Sequence, residues 1–174
     1  MPKKETIHYL GRFLGLKETD GWEYAFRTNA SGVIVLVPVT AAGELVLVEQ
    51  YRTPVRSHVI ELPAGLVGDN GDTEEDFKAA ARRELFEETG YQAESLEAIL
   101  TSPSTAGMAS EILTFYFASG LQRTGPGGGD ASEDITVHLV PLHEATTWLE
   151  AKQAEGIMVD HNVYAGLFWA KSRS

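Results

Sequence analysis

Arg83-Glu84-Leu85-Phe86-Glu87-Glu88-Thr89-Gly90 sets three glutamates within five positions. On a helix at about 100° per residue, Glu84, Glu87 and Glu88 fall within an arc of roughly 100°, one turn deep. Phe77, Ala80, Ala81 and Leu85 occupy nearly that same arc further back. The stripe that should face the core therefore changes, toward the helix end, into carboxylates.

Carboxylates so placed are unfavourable on several counts. Like charges at i,i+4 repel, and negative charge in the last turn opposes the helix dipole. Gly90 marks that last turn as an αL cap. Inward-facing carboxylates are costlier still unless a cation meets them. A solvated acidic face is the ordinary reading of a Glu-rich helix, but the coincidence with the apolar stripe favours an inward cluster. Hard oxygen ligands grouped this way suit Mg²⁺, with Mn²⁺ as the alternative.

Composition is compatible with that cluster. The chain has 174 residues, 43% hydrophobic and 22% charged, enough for one domain with a real core. No cysteine is present, which excludes a disulfide framework and a thiolate metal site. The net charge of -11 argues against nucleic-acid binding, which needs a basic footprint. An acidic protein can still take a phosphorylated small molecule if metal ions screen the phosphates. No apolar run approaches a membrane span, and Met1-Pro2-Lys3-Lys4 lacks the apolar core of a signal peptide. The expected setting is the cytoplasm, without membrane contact.

Outward from the helix, the chain reads mostly as strands. Residues 1–31 hold short apolar runs punctuated by Gly11, Gly15 and Asp20-Gly21, as in strands and hairpins. Trp22, Tyr24 and Phe26 alternate there as on one strand face. Val33 to Val39 is a β-branched run suited to a strand buried on both faces. Leu45–Val48, His58–Leu62, Leu96–Thr101, Ile112–Ala118 and Ile135–Val140 are further strands. The central helix should span about 73–89, with Asp72 or Thr73 as N-cap. The connection 119–132 contains Gly125-Pro126-Gly127-Gly128-Gly129-Asp130 and should be mobile and poorly ordered without substrate. Helices over about 142–154 (Leu142, Ala145, Leu149 on one face) and 161–171 (Val163, Tyr164, Leu167, Phe168) finish the chain. Strands on both sides of a central helix make a mixed α/β sandwich of α+β type.

The same residues carry a family resemblance. Glu75, seven residues, then Arg83-Glu84-Leu85-Phe86-Glu87-Glu88-Thr89-Gly90-Tyr91 resembles the Nudix hydrolase signature. The first half departs from it: nine residues, not five, separate Gly65 from Glu75, the excess lying in Gly68-Asp69-Asn70-Gly71. The resemblance implies the Nudix fold, a mixed β-sheet sandwiched between helices, over roughly residues 32–171. Residues 1–31 would then be an extra N-terminal strand and hairpin segment that forms a dimer, and 32–174 the hydrolase domain. It also implies a metal site of Glu84, Glu87, Glu88 and the backbone carbonyl of Ala64. Arg83 would orient a box glutamate by a charge-assisted hydrogen bond.

Other segments resemble the ADP-ribose and ADP-sugar pyrophosphatase branch. Glu49-Gln50-Tyr51-Arg52 and Glu61-Leu62-Pro63-Ala64-Gly65 imply that Arg52 contacts the substrate diphosphate, where a guanidinium fork suits better than a lysine. Glu61, at a strand end beside the site, would bind ribose or water. Met108 and Glu111 lie on the branch's substrate loop, near Pro103, which comes a little early. Trp22-Glu23-Tyr24 matches a segment whose tryptophan, in some relatives, stacks on adenine across a dimer interface. Asp130-Ala131-Ser132-Glu133-Asp134 matches a loop that carries a glutamate; Glu133 would be the general base, with Asp134 its nearest confusion. His58 and His138 look structural.

The resulting expectation is a Mg²⁺-dependent homodimeric hydrolase of nucleoside diphosphate sugars. It would take ADP-ribose or a similar ADP-sugar and give a nucleoside monophosphate and a sugar phosphate. Two rivals remain open. One is a Nudix enzyme of another diphosphate, such as GDP-mannose, a dinucleotide or a capped RNA end. The other is a non-catalytic module that binds ADP-ribose, against which the intact box glutamates argue.

Overall fold

The computed structural model describes residues 5–69, 74–129 and 133–173. The chain opens with an antiparallel sheet of β1 (Glu5–Leu10), β2 (Leu14–Thr19) and β3 (Trp22–Arg27), as the punctuated apolar runs predicted. Asp20 and Gly21, at φ 54° and 82°, make the two-residue turn between β2 and β3. Positive φ at both positions gives a turn whose twist matches the flanking strands.

Two four-stranded mixed sheets follow, where the sequence suggested one. The first has the order β7 (Ala64–Val67), β4 (Gly32–Pro38), β9 (Ile112–Arg123), β8 (Tyr91–Pro103); β4 and β9 run parallel. The second has the order β10 (Thr136–Pro141), β5 (Glu44–Arg52), β6 (Ser57–Glu61), β11 (Met158–Val159); β6 and β11 run parallel. The helices are α1 (Phe77–Thr89), α2 (Ala145–Ala154) and α3 (His161–Lys171).

β4 explains the layering. Val33, Val35 and Val37 point into one core, shared with Leu45, Leu47, Ile60, Leu149, Val163 and Leu167. Ile34 and Leu36 point into the other, against Ala80, Ala81 and Leu85 of α1. A run apolar at every position is what a strand between two such cores requires. The sandwich of helices around mixed sheet is thus present, with α1 on one side and α2 and α3 on the other.

Four expectations need correction. α1 begins at Phe77, not near 73, because Asp76 caps it, accepting from Lys78 N (3.0 Å) and Ala79 N (3.3 Å). The alternatives Asp72 and Thr73 lie outside the described residues. β7 and β11 were not foreseen; at four and two residues they are too short to show periodicity. On α3 the buried positions are Val163, Gly166, Leu167 and Ala170, while Tyr164 and Phe168 are exposed. A Cβ at Gly166 would stand 2.7 Å from Leu62 Cδ1, so close approach at a glycine sets that helix's orientation. Finally, residues 124–129 of the glycine-rich connection are docked against the end of α1 rather than free.

Candidate active site

The rotation of α1 decides which glutamates reach the interior. Its buried positions include Ala81, Leu85 and Glu88, so the buried face runs through Glu88, which is 3% exposed. Glu84 stands at the edge of that face. Glu87, about 100° round from Glu88, projects outward with its side chain 45% exposed. Two of the three predicted ligands therefore meet in one cleft, and the third sits on the rim.

Arg83 holds the arrangement together, as expected of an orienting residue. Its Nε donates to Glu75 Oε1 (3.0 Å), and its Nη2 donates to Glu75 Oε2 (3.2 Å) and the Leu66 carbonyl (3.1 Å). Its Nη1 donates to Glu84 Oε1 (2.7 Å) and Glu87 Oε2 (3.3 Å). A planar fork with several fixed N–H groups is the side chain that can do this. Glu75 also accepts from Gly68 N (2.9 Å), and its carboxyl lies below the usual range, chiefly through Arg83. The lengthened loop after Gly65 thus leaves Glu75 a defined task, tying the loop to the helix.

Gly65 is the closest backbone approach. A Cβ there would collide with the carboxyl group of Glu84. Gly65→Ala should therefore displace Glu84, cost about 1–3 kcal/mol of stability as overpacking, and weaken divalent-cation binding. Calorimetry of Mn²⁺ binding checks this; unchanged affinity would detach Gly65 from the site.

The cleft, of about 290 Å³, is lined by Arg27, Val33, Arg52, Ala64, Gly65, Leu66, Asp69, Glu84, Glu88 and Glu133. Ala64 is present, and its amide donates to Glu88 Oε2 (3.1 Å). Burial pushes Glu84 up to about 7, opposed by Arg83, and raises Glu88 well above the carboxylate range, with Glu84 adding to the effect. A buried and a half-buried carboxylate lining one cleft fit a divalent cation, which restores the charged form. Among the described residues, the three acids or histidines whose ligand atoms lie within 4.8 Å of one another are His8, Glu18 and Glu23, on the N-terminal sheet and outside the cleft lining; Glu84, Glu87 and Glu88 do not come together that closely.

Arg52 faces the carboxylates. Its Nη2 pairs with Glu61 Oε2 (2.7 Å), and Gln50 Nε2 donates to the same oxygen (3.1 Å). Glu61 thereby holds Arg52 in place at the cleft. Arg27 was missed by the sequence reading. It ends β3, reaches the cleft, and its Nε donates to Glu111 Oε1 (2.7 Å). Nothing in the local pattern distinguishes it from a surface arginine, because its partner stands 84 positions away.

Neither Trp22 nor Met108 is in the cleft lining. Trp22 Nε1 donates to the Gly107 carbonyl (3.3 Å), and Ala25 N donates to the Met108 carbonyl (2.8 Å), so β3 and the 104–110 segment are joined. Both side chains are largely exposed. Glu133 lines the cleft; Asp134 does not. His58 and His138 flank Glu49 at 3.3 and 2.9 Å, away from the cleft lining.

Comparison with known proteins agrees with this geometry. The NUDIX domain model matches residues 28–160. A methanol dehydrogenase activator of Bacillus methanolicus is 33% identical over 123 residues, 70% of this chain and 64% of that protein. An ADP-sugar pyrophosphatase of Mus musculus is 34% identical over 163 residues, 85% of this chain and 72% of that one. The match thus spans just under two thirds of the bacterial relative's length. The crystal structure of an ADP compounds hydrolase shares the fold, with a TM-score of 0.75 at 20% identity, covering 98% of this chain and 94% of that one. With its signature helix, its sheets and most of its length matched, the chain belongs to the Nudix family.

Proposed function

We propose that the protein hydrolyses the diphosphate of nucleoside diphosphate sugars, ADP-ribose or a related ADP-sugar, with Mg²⁺ or Mn²⁺, and works as a homodimer. One observation carries the reading: Glu84 and Glu88 line the same cleft as Arg27 and Arg52. A diphosphate needs cationic groups on its oxygens, and a cation held by carboxylates completes such a set. Sequence similarity to the mouse ADP-sugar pyrophosphatase supports the substrate class.

Glu84, Glu88 and the Ala64 carbonyl would hold the ion, with Glu87 reaching in from the rim. A bound divalent ion supplies charge neutralisation on the phosphate oxygens and acidifies water. Arg52, steadied by Glu61, and Arg27, steadied by Glu111, grip and orient the diphosphate. Glu133 accepts the proton of the attacking water as the new P–O bond forms and the anhydride P–O bond breaks.

The N-terminal sheet supports the dimer. β1 is exposed along its whole length, and Ile7, Tyr9, Leu10, Phe13, Leu14 and Trp22 are each 49% exposed or more. Exposed apolar side chains gathered on one small sheet mark a partner surface, which a second copy would cover. A Leu10→Asp, Phe13→Asp chain should sediment as a monomer where the parent sediments as a dimer, with a raised KM. A variant that stays dimeric and keeps its KM would remove this surface from assembly. Among the described residues, no helix is long and apolar enough to cross a membrane; a cytoplasmic setting is part of the proposal.

The direct test is a turnover screen of ADP-ribose, other ADP-sugars, GDP-mannose, dinucleotides and capped RNA, with Mg²⁺, with Mn²⁺ and with chelator. AMP should appear from ADP-sugars and only with metal. Release from none of the substrates would leave a binding module. Arg52→Lys should lower kcat/KM for the preferred substrate by about 10–100-fold, the loss of one charge-assisted hydrogen bond.

A further inference from the structure

The end of α1 is finished by a distant segment rather than by its own chain. Gly90 takes the left-handed conformation and its amide bonds the Phe86 carbonyl, which leaves the next carbonyls without intrahelical donors. Gly128 N donates to the Glu88 carbonyl (2.8 Å) and Gly129 N to the Glu87 carbonyl (3.0 Å). Thr124 N (2.9 Å) and Gly125 N (3.1 Å) donate to the Gly90 carbonyl. The glycine run is therefore hydrogen-bonded to the backbone of Glu88, whose side chain lines the cleft, and of its neighbour Glu87.

Side chains are excluded from this joint. Gly127, Gly128 and Gly129 have φ of 69°, 104° and 81°, which L residues rarely adopt. A Cβ at 127 would stand 2.5 Å from the Thr89 carbonyl carbon. A Cβ at 129 would stand 2.5 Å from Glu133 Oε2 and 3.0 Å from Ile135 Cδ1. Beyond Glu133 the chain returns: Ile135 is buried, and its amide donates to the Gly128 carbonyl (3.3 Å). Glu133 is thus set between the glycine joint and a buried anchor that bonds back to it.

We infer that Gly127, Gly128 and Gly129 are positioning residues: they fix Glu133 relative to Glu88 by tying its segment to the last carbonyls of α1. The inference rests on the reading of Glu133 as general base. A bare helix cap would affect stability alone. A positioning joint also affects the rate, since misplacing a catalytic group by about 1 Å costs on the order of 10²-fold.

The experiment uses the full chain with ADP-ribose and Mg²⁺. Gly129→Ala and Gly128→Ala are compared with Gly156→Ala, which has φ 87° and no atom within 4 Å of an added Cβ. Gly128→Ala and Gly156→Ala each place alanine at positive φ without a close clash, so their melting temperatures should fall alike, while Gly129→Ala, whose Cβ would meet Glu133, should fall further. Only Gly128→Ala and Gly129→Ala should lose kcat, on the order of 10–100-fold, with KM and Mn²⁺ affinity held within about twofold. Gly128→Ala keeps the test sound if Gly129→Ala folds poorly, because its added Cβ meets nothing nearer than 3.8 Å. In a Glu133→Gln background, Gly129→Ala or Gly128→Ala should cause no further loss, because the group being positioned is gone. Wild-type kcat in both glycine variants, or losses that multiply with Glu133→Gln, would overturn the inference while leaving the base assignment intact. A fully active Glu133→Gln would overturn both.

Discussion

Glu88→Gln should lower turnover by on the order of 10²–10³-fold, the scale for removing one preorganised electrostatic group, and raise the melting temperature of the metal-free protein. The two effects share a cause. Glu88 is buried at the centre of the α1 face, against Glu84, and both carboxyls are pushed up by burial. Glutamine keeps the shape and the acceptor for the Ala64 amide but removes a charge that the metal-free fold disfavours. Glu84→Gln should behave similarly, with a smaller gain in stability, because Arg83 compensates Glu84 directly.

The pH dependence follows with a definite sign. The folded-state value of Glu84, about 7, lies above its ordinary 4.5, so between those values the folded chain holds a proton that the unfolded chain has lost. Stability of the metal-free protein therefore falls as pH rises through that window. Added Mg²⁺ should raise the melting temperature more at pH 8 than at pH 5, and the difference should shrink in Glu84→Gln and Glu88→Gln. Thermal melts with chelator and with Mg²⁺ at both pH values measure this. Equal Mg²⁺ shifts in parent and variants would remove both glutamates from the ion site.

How much of this was legible in the sequence depends on the range of the interaction. The merger of apolar stripe and carboxylates on α1 is local and periodic, so Glu84 and Glu88 could be placed beforehand. Glu87 belonged to the same 100° arc, yet the true centre of the buried face, set by Leu85 and Ala81, leaves it on the rim. The double burial of β4 was visible because every position from Val33 to Val37 is apolar. Arg27 was not visible, since its place depends on β3 packing beside Glu111 across 84 positions. The glycine run misled for a related reason. Glycine composition predicts freedom when the chain is read alone; here positive φ and close approach let four amides reach the carbonyls of another element.

Glu133→Gln and Asp134→Asn, measured side by side, should separate sharply. Glu133 lines the cleft with Glu88 and Arg52, whereas Asp134 is absent from that lining although it is the next residue. Glutamine at 133 keeps the size and hydrogen-bonding reach but cannot accept the proton of the attacking water. The expected loss is about 10²–10⁴-fold in kcat, the range for removing a general base, with KM nearly unchanged. Mn²⁺ affinity should also survive, which distinguishes this variant from Glu84→Gln and Glu88→Gln, where cation binding itself should fail. Asp134→Asn should retain kcat within a few-fold, as expected for a side chain outside the cleft. A dead Asp134→Asn beside a live Glu133→Gln would mean that the strand entry at Ile135 turns the other carboxylate inward when substrate binds. Normal turnover in both would move the base elsewhere. Glu111 would then be the next acid to test, and its role could no longer be confined to holding Arg27.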